Sequence, residues 1–354
     1  MRRTIELFNI RCFSEASFHF EAPRGAFLIG PNGSGKTTIL ECFILPSRGF
    51  LYGAKVSSVL THGHREGLIR VIAEDDVFKT TVEVFLSPAG RELRINGKKA
   101  TRLPSLPGMR FASFFPQDIS LVAGGPEERR EYLDSLLCRA YPSYEAGLHV
   151  YRKILTERNA ALRHGASDDQ ISVYDEQLSH AAGPLVRKRL ETLPVLNAIV
   201  EKTCATFSLF AVRLRYAPTV PLDDDIENVV REALYARRER DRLEGTTTCG
   251  PHRDSIEITV SSRSTRYAAS YGEKKMVALA LRIAEREFLS EITGEKHGFI
   301  ADDLFSELDA SRRSAIVRYF LESNTYFMAS ATERPLAGEE SQGFDMVEMK
   351  SLHV

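Results

Sequence analysis

The strongest chemical signal in the chain is one run, Gly30-Pro31-Asn32-Gly33-Ser34-Gly35-Lys36-Thr37, followed by Thr38. Its glycines let the backbone wrap a phosphate with N–H groups turned inward, which is the task of a phosphate-binding loop. Lys36 places a cation at the β and γ phosphates of a nucleotide, and Thr37 offers a hydroxyl to Mg²⁺. Such a loop needs a strand before it and a helix after it. Ala26-Phe27-Leu28-Ile29 reads as the buried strand, and Ile39, Leu40, Phe43 and Ile44 read as the inner face of the helix. A glycine-rich turn arising by chance would lack both.

Further along, the short apolar strand Phe299-Ile300-Ala301 ends in Asp302 and Asp303, followed by Ser306-Glu307-Leu308-Asp309. An acid at a strand end beside a phosphate loop can hold Mg²⁺ through water, and its neighbour can orient or deprotonate an attacking water. Paired acids alone are commonly solvated surface; the loop upstream reverses that balance. Ser270-Tyr271-Gly272-Glu273 precedes a helix predicted over 274–287, so a hydroxyl and free N–H groups meet where anions are favoured. A plain helix cap explains this segment equally well when it is considered alone. Gln117, in Phe115-Pro116-Gln117-Asp118, sits where β periodicity gives way to helical periodicity, and an ordinary loop glutamine is the simpler alternative.

The elements that must position these groups emerge from periodicity. Up to about residue 115 the chain reads as β structure with one helix, including strands over 68–73 and 80–86 and an Asn96-Gly97 hairpin signal. Helical spacing then takes over: Leu133, Leu136 and Leu137; Tyr144, Leu148, Tyr151 and Leu155; Ile171, Tyr174, Leu178 and Leu185. Pro184 and Pro194 predict two or three packed helices in the last stretch in place of one long rod. From Gly245 strands and helices alternate, as in a parallel sheet. Sustained heptads are missing, so no long coiled coil is expected.

Composition excludes other classes. With 354 residues, 43% hydrophobic and 27% charged, the chain is neither a disulfide-stapled miniprotein nor wholly disordered. A net charge of −1 removes bulk charge as an argument for nucleic-acid binding, so any polyanion must meet locally arranged cations. No apolar run approaches the roughly 18 residues of a membrane helix. No export signal is evident, and the expected location is the cytoplasm. Five scattered cysteines without a C-x-x-C pair are expected to be reduced.

The order of these segments resembles the RecF family of bacterial DNA replication and repair ATPases, which is related to the SMC class, over nearly the whole chain. The likeness runs through Asn9-Ile10-Arg11-Cys12-Phe13, the phosphate loop with Leu40-Glu41, Phe115 to Asp118, Gly125-Pro126, and Arg129-Arg130-Glu131-Tyr132-Leu133-Asp134. It continues through Tyr151, Arg158-Asn159, Gly250-Pro251-His252-Arg253-Asp254, the Ser270 segment and Asp302 to Asp309. The Gly-Pro-His-Arg-Asp run is more particular to the family than the phosphate loop.

The resemblance implies a mixed α/β fold: an ABC-type P-loop ATPase lobe from residues 1–118 and 244–354, with an inserted, mainly helical lobe over 119–243. It implies ATP with Mg²⁺ held by Thr37, Gln117 and Asp302, Asp303 as general base, and Ser330 polarising the water. Ser270, Gly272, Glu273 and Asp309 join the nucleotide set, the Ser270 segment resembling the cassette signature that meets the γ phosphate of a second protomer. It further implies an ATP-dependent homodimer closing on DNA at gaps or junctions of single and double strands, with RecO and RecR as partners. A weak DNA-stimulated ATPase would act as the switch. Ser255, Glu273, Gln117 and Ala329-Ser330-Ala331 depart from the family pattern.

Three basic clusters could contact phosphates: Arg231, Arg237, Arg238, Arg240 and Arg242; Arg187, Lys188 and Arg189; and Lys98 with Lys99. Interleaved acids equally fit solvated helix faces. His252 and Arg253 read as a fixed turn beside the ATPase sheet. Two other functions stay open: a phosphotransferase acting on a small molecule, and a scaffold in which nucleotide is structural.

Overall fold

The computed structural model describes residues 1–48, 56–101, 106, 108–207, 211–260, 263–264, 270–306, 308–336 and 341–350. Glu307 of the acidic segment lies outside them. Packing divides the chain into two units, residues 1–117 with 294–354, and residues 118–293.

The first unit contains two sheets. Strands β1 (Arg2–Ile10), β2 (Phe13–Phe20), β4 (Gly67–Glu74), β5 (Lys79–Ser87), β6 (Gly90–Ile95) and β7 (Lys98–Ala100) form an antiparallel sheet in the order β2-β1-β4-β5-β6-β7. Alternate residues of β4 and β5 are buried, as expected when one face of a sheet meets the core and the other meets water. The Asn96-Gly97 signal is realised: both residues take positive φ between β6 and β7. Strands β3 (Gly25–Ile29), β8 (Phe111–Phe114), β12 (Gly298–Ala301), β13 (Phe327–Ala331) and β14 (Phe344–Glu348) form a second, wholly parallel sheet in the order β14-β3-β13-β12-β8. Strand β3 is buried at every position, which is why it reads as an unbroken apolar run.

Helix α1 (Lys36–Arg48) packs between the inner face of the first sheet and the parallel sheet, and a single turn, α2 (Val56–Val59), leads on to β4. In α1, Ile39, Leu40, Phe43 and Ile44 are fully buried beside Phe20, Ile69, Val71 and Phe111. Each such side chain contributes about 1.5–3 kcal/mol. The first turn of α1, and with it the phosphate loop, is therefore fixed from both sides.

The second unit holds α3 (Ser120–Ala123), α4 (Pro126–Ala140), α5 (Pro142–Arg163), α6 (Asp168–Thr206), α7 (Ile226–Ala236), α8 (Arg238–Glu244), α9 (Tyr271–Thr293) and a small sheet of β9 (Val212–Ala217), β10 (Ser255–Val260) and β11 (Arg263–Ser264). Helix α9 buries most of its length against α6 and α4, so residues 244–293 pack with this unit, a division by packing that differs from the lobes expected from sequence. The expectation of separate helices over 168–206 is corrected: α6 is one 39-residue helix that contains both prolines. Pro184 and Pro194 lie on its exposed side, where the carbonyls they release can bond to water, while Leu178, Ala182, Leu185, Leu193, Leu196 and Val200 keep one buried stripe.

A buried polar network ties this unit together. Arg158, wholly buried, donates from Nε to Asp175 Oδ1 at 2.8 Å, and from Nη1 to Asp241 Oδ2 and Thr247 Oγ1, each at 2.8 Å. Arg189 donates to Asp134 Oδ1 at 2.8 Å, Tyr144 Oη at 3.0 Å and the Pro251 carbonyl at 2.8 Å. Buried charges are tolerated when opposite charges and hydrogen bonds compensate them in this way, although Arg158 Nη2 itself has no hydrogen-bond partner among the described residues. The mixed α/β class without a long coiled coil is the architecture observed, and among the described residues no helix is long and apolar enough to cross a membrane. The cysteines are all free of disulfides.

Candidate functional site: a phosphate cradle at the ends of three parallel strands

In the first unit, β12, β13 and β3 lie side by side and run the same way, so the segments leaving their carboxyl ends emerge at one edge. The carboxyl edge of a parallel sheet is where α/β proteins place ligands. The phosphate loop comes directly after β3, Asp302 and Asp303 come directly after β12, and Ser330 stands near the end of β13, paired in register with Leu28. Together with Arg11, Cys12 and Thr332 they line a cavity of about 400 Å³.

The loop is shaped for an anion. Gly35 has φ +89°, and a Cβ there would sit 2.4 Å from the Phe13 ring and 3.0 Å from Cys12 Sγ, so only glycine fits. Ser34 Oγ is fully buried, lines the cavity and has no hydrogen-bond partner among the described residues. Lys36 Nζ donates to the carbonyls of Gly30 and Pro31, each at 2.7 Å. Burial pushes the Lys36 ammonium below its ordinary pKa, and the carboxylates of Asp302 and Asp303 pull it back up. A phosphate supplies acceptors for such a lysine, for the Ser34 hydroxyl and for the loop's N–H groups.

A hydrogen-bonded chain crosses the mouth of the loop. Thr37 Oγ1 donates to Asp302 Oδ2 at 2.7 Å, Ser330 Oγ donates to Asp302 Oδ1 at 2.6 Å, and the Asp303 N–H donates to Ser330 Oγ at 2.8 Å. The Asp302 N–H donates to the Phe114 carbonyl at 2.9 Å, fixing the strand end to β8. Asp303 has φ +47°, a left-handed conformation costing an L-residue about 1–2 kcal/mol, and the Ser330 hydroxyl holds it there. Ser306 Oγ donates to Asp303 Oδ2 at 2.8 Å. Hard oxygen donors from Thr37 and Asp302 suit Mg²⁺, which keeps most of its waters and takes one or two protein ligands.

The expected site residues divide. Asn32 to Thr38, Asp302, Asp303 and Ser330 share the cavity, while Gly30 and Pro31 hold the lysine. Gln117 is exposed on the turn after β8 and does not line the cavity. Asp309 caps the N-terminus of helix α10 (Ala310–Glu322), accepting from the Arg312 N–H at 2.9 Å, also outside the cavity. Ser270, Gly272 and Glu273 lie in the second unit. There the Ser270 N–H donates to Glu273 Oε2 at 2.7 Å and the Glu273 N–H to Ser270 Oγ at 3.3 Å, a reciprocal cap on α9.

Four lining residues, Arg11, Cys12, Ala331 and Thr332, lie outside the set of site residues expected from sequence. Arg11, at φ +47° beyond β1, pairs with Glu41 at 2.6 Å and donates to Thr38 Oγ1 at 3.4 Å. Thr332 comes just after β13 and is exposed at the cavity wall. Neither Arg11 nor Thr332 carries a spacing signal: Arg11 follows β1 of the antiparallel sheet, which packs on α1, and Thr332 follows β13, the neighbour of β3 in the parallel sheet.

A family profile described as an AAA domain matches residues 4–87. The chain is 31% identical over 334 residues to "DNA replication and repair protein RecF" of Anaeromyxobacter sp. (strain Fw109-5), covering 90% of each chain. It is 33% identical over 355 residues to the protein of that name from Acidothermus cellulolyticus, covering 94% of each. Among solved structures it superposes on the recombination mediator protein RecF-ATPrS in the RecFOR pathway with a TM-score of 0.83 at 25% identity, covering 96% of this chain and 94% of that one. A Pyrococcus furiosus Smc head domain, at TM-score 0.55 and 15% identity over 94% of this chain and 90% of that one, shares the fold. By this identity over nearly its full length, the chain belongs to the RecF family of DNA replication and repair proteins.

Proposed function

We propose that this chain is an ATP-gated DNA-binding protein of recombinational repair and replication restart. The observation that carries the reading is the chain Thr37–Asp302–Ser330–Asp303 across the mouth of a phosphate loop, in a member of the RecF family. The functional ATPase head comprises residues 1–118 and 244–354, with 119–243 as a helical lobe. Asn32 to Gly35 wrap the phosphates of ATP, and Lys36 turns from the Gly30 and Pro31 carbonyls to the β and γ phosphates. Thr37, Asp302 and Gln117 hold Mg²⁺, which when bound neutralises phosphate charge. Asp303 takes the proton of the attacking water, and Ser330 keeps both acids in place.

Ser270, Gly272 and Glu273 of a second protomer close over the γ phosphate, and Asp309 completes the nucleotide contacts, so ATP becomes part of a homodimer that clamps DNA at gaps or junctions. Loss of the γ phosphate removes the contact energy favouring the closed state, so slow hydrolysis opens the clamp. Its partners in loading recombinase are RecO and RecR, and its place is the cytoplasm. Equilibrium binding of a fluorescent ATP analogue tests the site. Lys36→Met is expected to abolish binding, and Asp303→Asn to bind normally while turnover stops. Full turnover in the Asp303 variant would remove the catalytic part of the proposal.

A further inference from the structure

The structure neutralises most of the basic clusters read from the sequence. Arg187 pairs with Glu227, Lys188 with Glu191, Arg238 with Asp175, Arg240 with Glu244, Arg242 with Asp168 and Lys99 with Glu92. Arg189 is buried. Each of these cations is engaged inside its own unit, and a DNA backbone would have to displace a carboxylate to use an exposed one.

Two other arginines differ, and both lie in segments that carry the family resemblance. Arg253, exposed on the Gly250–Asp254 turn, donates only to the Thr247 carbonyl at 3.2 Å and Thr246 Oγ1 at 3.5 Å. Arg130, half-buried on α4, donates from Nη1 to the Asp254 carbonyl at 2.9 Å. Neither has a carboxylate partner among the described residues. The Asp254 carboxylate is itself occupied, accepting from the Tyr216 hydroxyl and from Thr219 Oγ1. Both guanidiniums act on His252, whose imidazole is held neutral between Tyr151 Oη at 2.6 Å and the Thr247 carbonyl at 3.1 Å.

The turn is also rigid. Gly250 has φ +111°, and a Cβ there would stand 2.9 Å from Tyr151 Oη. The Arg253 N–H closes on the Gly250 carbonyl at 2.8 Å. A fixed pair of unneutralised guanidiniums loses little entropy on meeting an anion.

We infer that Arg130 and Arg253 form a contact site for the phosphodiester backbone of DNA, independent of base sequence. The inference rests on the DNA-binding reading above and names where that binding is made. Fluorescence anisotropy of the full chain with ATP and Mg²⁺, on a labelled duplex with a single-stranded overhang, tests it across a salt series. Arg130→Ala and Arg253→Ala are each expected to weaken binding roughly tenfold and to reduce the log–log salt slope by about 0.9 for each phosphate no longer neutralised. Arg253→Lys is expected to retain most of the slope, and Arg240→Ala, which breaks only the Glu244 pair, to change neither quantity. ATP binding in every variant is expected to match the wild type, which separates removal of a phosphate partner from unfolding. Wild-type affinity and slope in both alanine variants would overturn the site alone. A wild type that binds no DNA would overturn the site together with the function on which it rests.

Discussion

His252 gives the sharpest quantitative test of the second unit. Its ring lies between the Tyr151 hydroxyl and the Thr247 carbonyl, and burial is the main reason its pKa falls from an ordinary 6.5 to about 4; the Arg253, Arg130 and Arg158 charges add to the shift, and the Thr247 carbonyl opposes it. The folded pKa lies below the unfolded one, so between these values the unfolded chain binds more protons. This contribution to stability is complete above pH 6.5 and is lost as pH falls toward 4. At about 1.4 kcal/mol for each pH unit of difference, the full loss is about 3 kcal/mol. Urea unfolding of the wild type and His252→Gln, followed by circular dichroism at pH 7, 6, 5 and 4, isolates the effect, because the carboxylates titrate alike in both. The wild type is expected to lose about 3 kcal/mol that the variant keeps. Parallel pH profiles, or a His252 ring titrating near 6.5 by NMR, would show that burial does not hold the imidazole neutral.

Other outcomes rest on the same geometry. Gly35→Ala forces a left-handed alanine against the Phe13 ring and is expected to weaken ATP binding at least roughly tenfold, measured by calorimetry. Arg158→Met strands the buried Asp241 carboxylate without a charged partner, and denaturant unfolding should show a loss of about 3–5 kcal/mol. Ser330→Ala releases the Asp303 N–H and one oxygen of Asp302; ATP turnover is expected to fall roughly 10- to 100-fold, with Ser330→Thr restoring part of it. Equal turnover in all three Ser330 forms would show that the hydroxyl positions nothing.

Where the candidate site was legible in the sequence, it was carried by short spacing. The phosphate loop, its flanking strand and helix, and the paired acids each sit within a few residues, so local pattern sufficed. The alternation in Val212-Arg213-Leu214-Arg215-Tyr216 also marks β9, but helical spacing on both sides hid it. What was not legible depends on distant partners. Arg187 meets Glu227, Arg238 meets Asp175, and Arg242 meets Asp168, each 40 or more positions away, so several cations of the clusters read from sequence are paired with carboxylates in the fold. The prolines of α6 misled because propensity cannot say which side of a helix faces water. Arg11 reaches the phosphate cavity because the antiparallel sheet packs on α1, and Thr332 because β13 lies beside β3, neither of which a local pattern can show.

Whether ATP joins two copies of this chain is read from molar mass by light scattering with no nucleotide, with ADP, and with ATP and Mg²⁺. A dimer is expected only with ATP, and is expected to be abolished in Lys36→Met and in Ser270→Arg. A monomer under every condition, or a dimer indifferent to nucleotide and to both substitutions, would contradict that expectation.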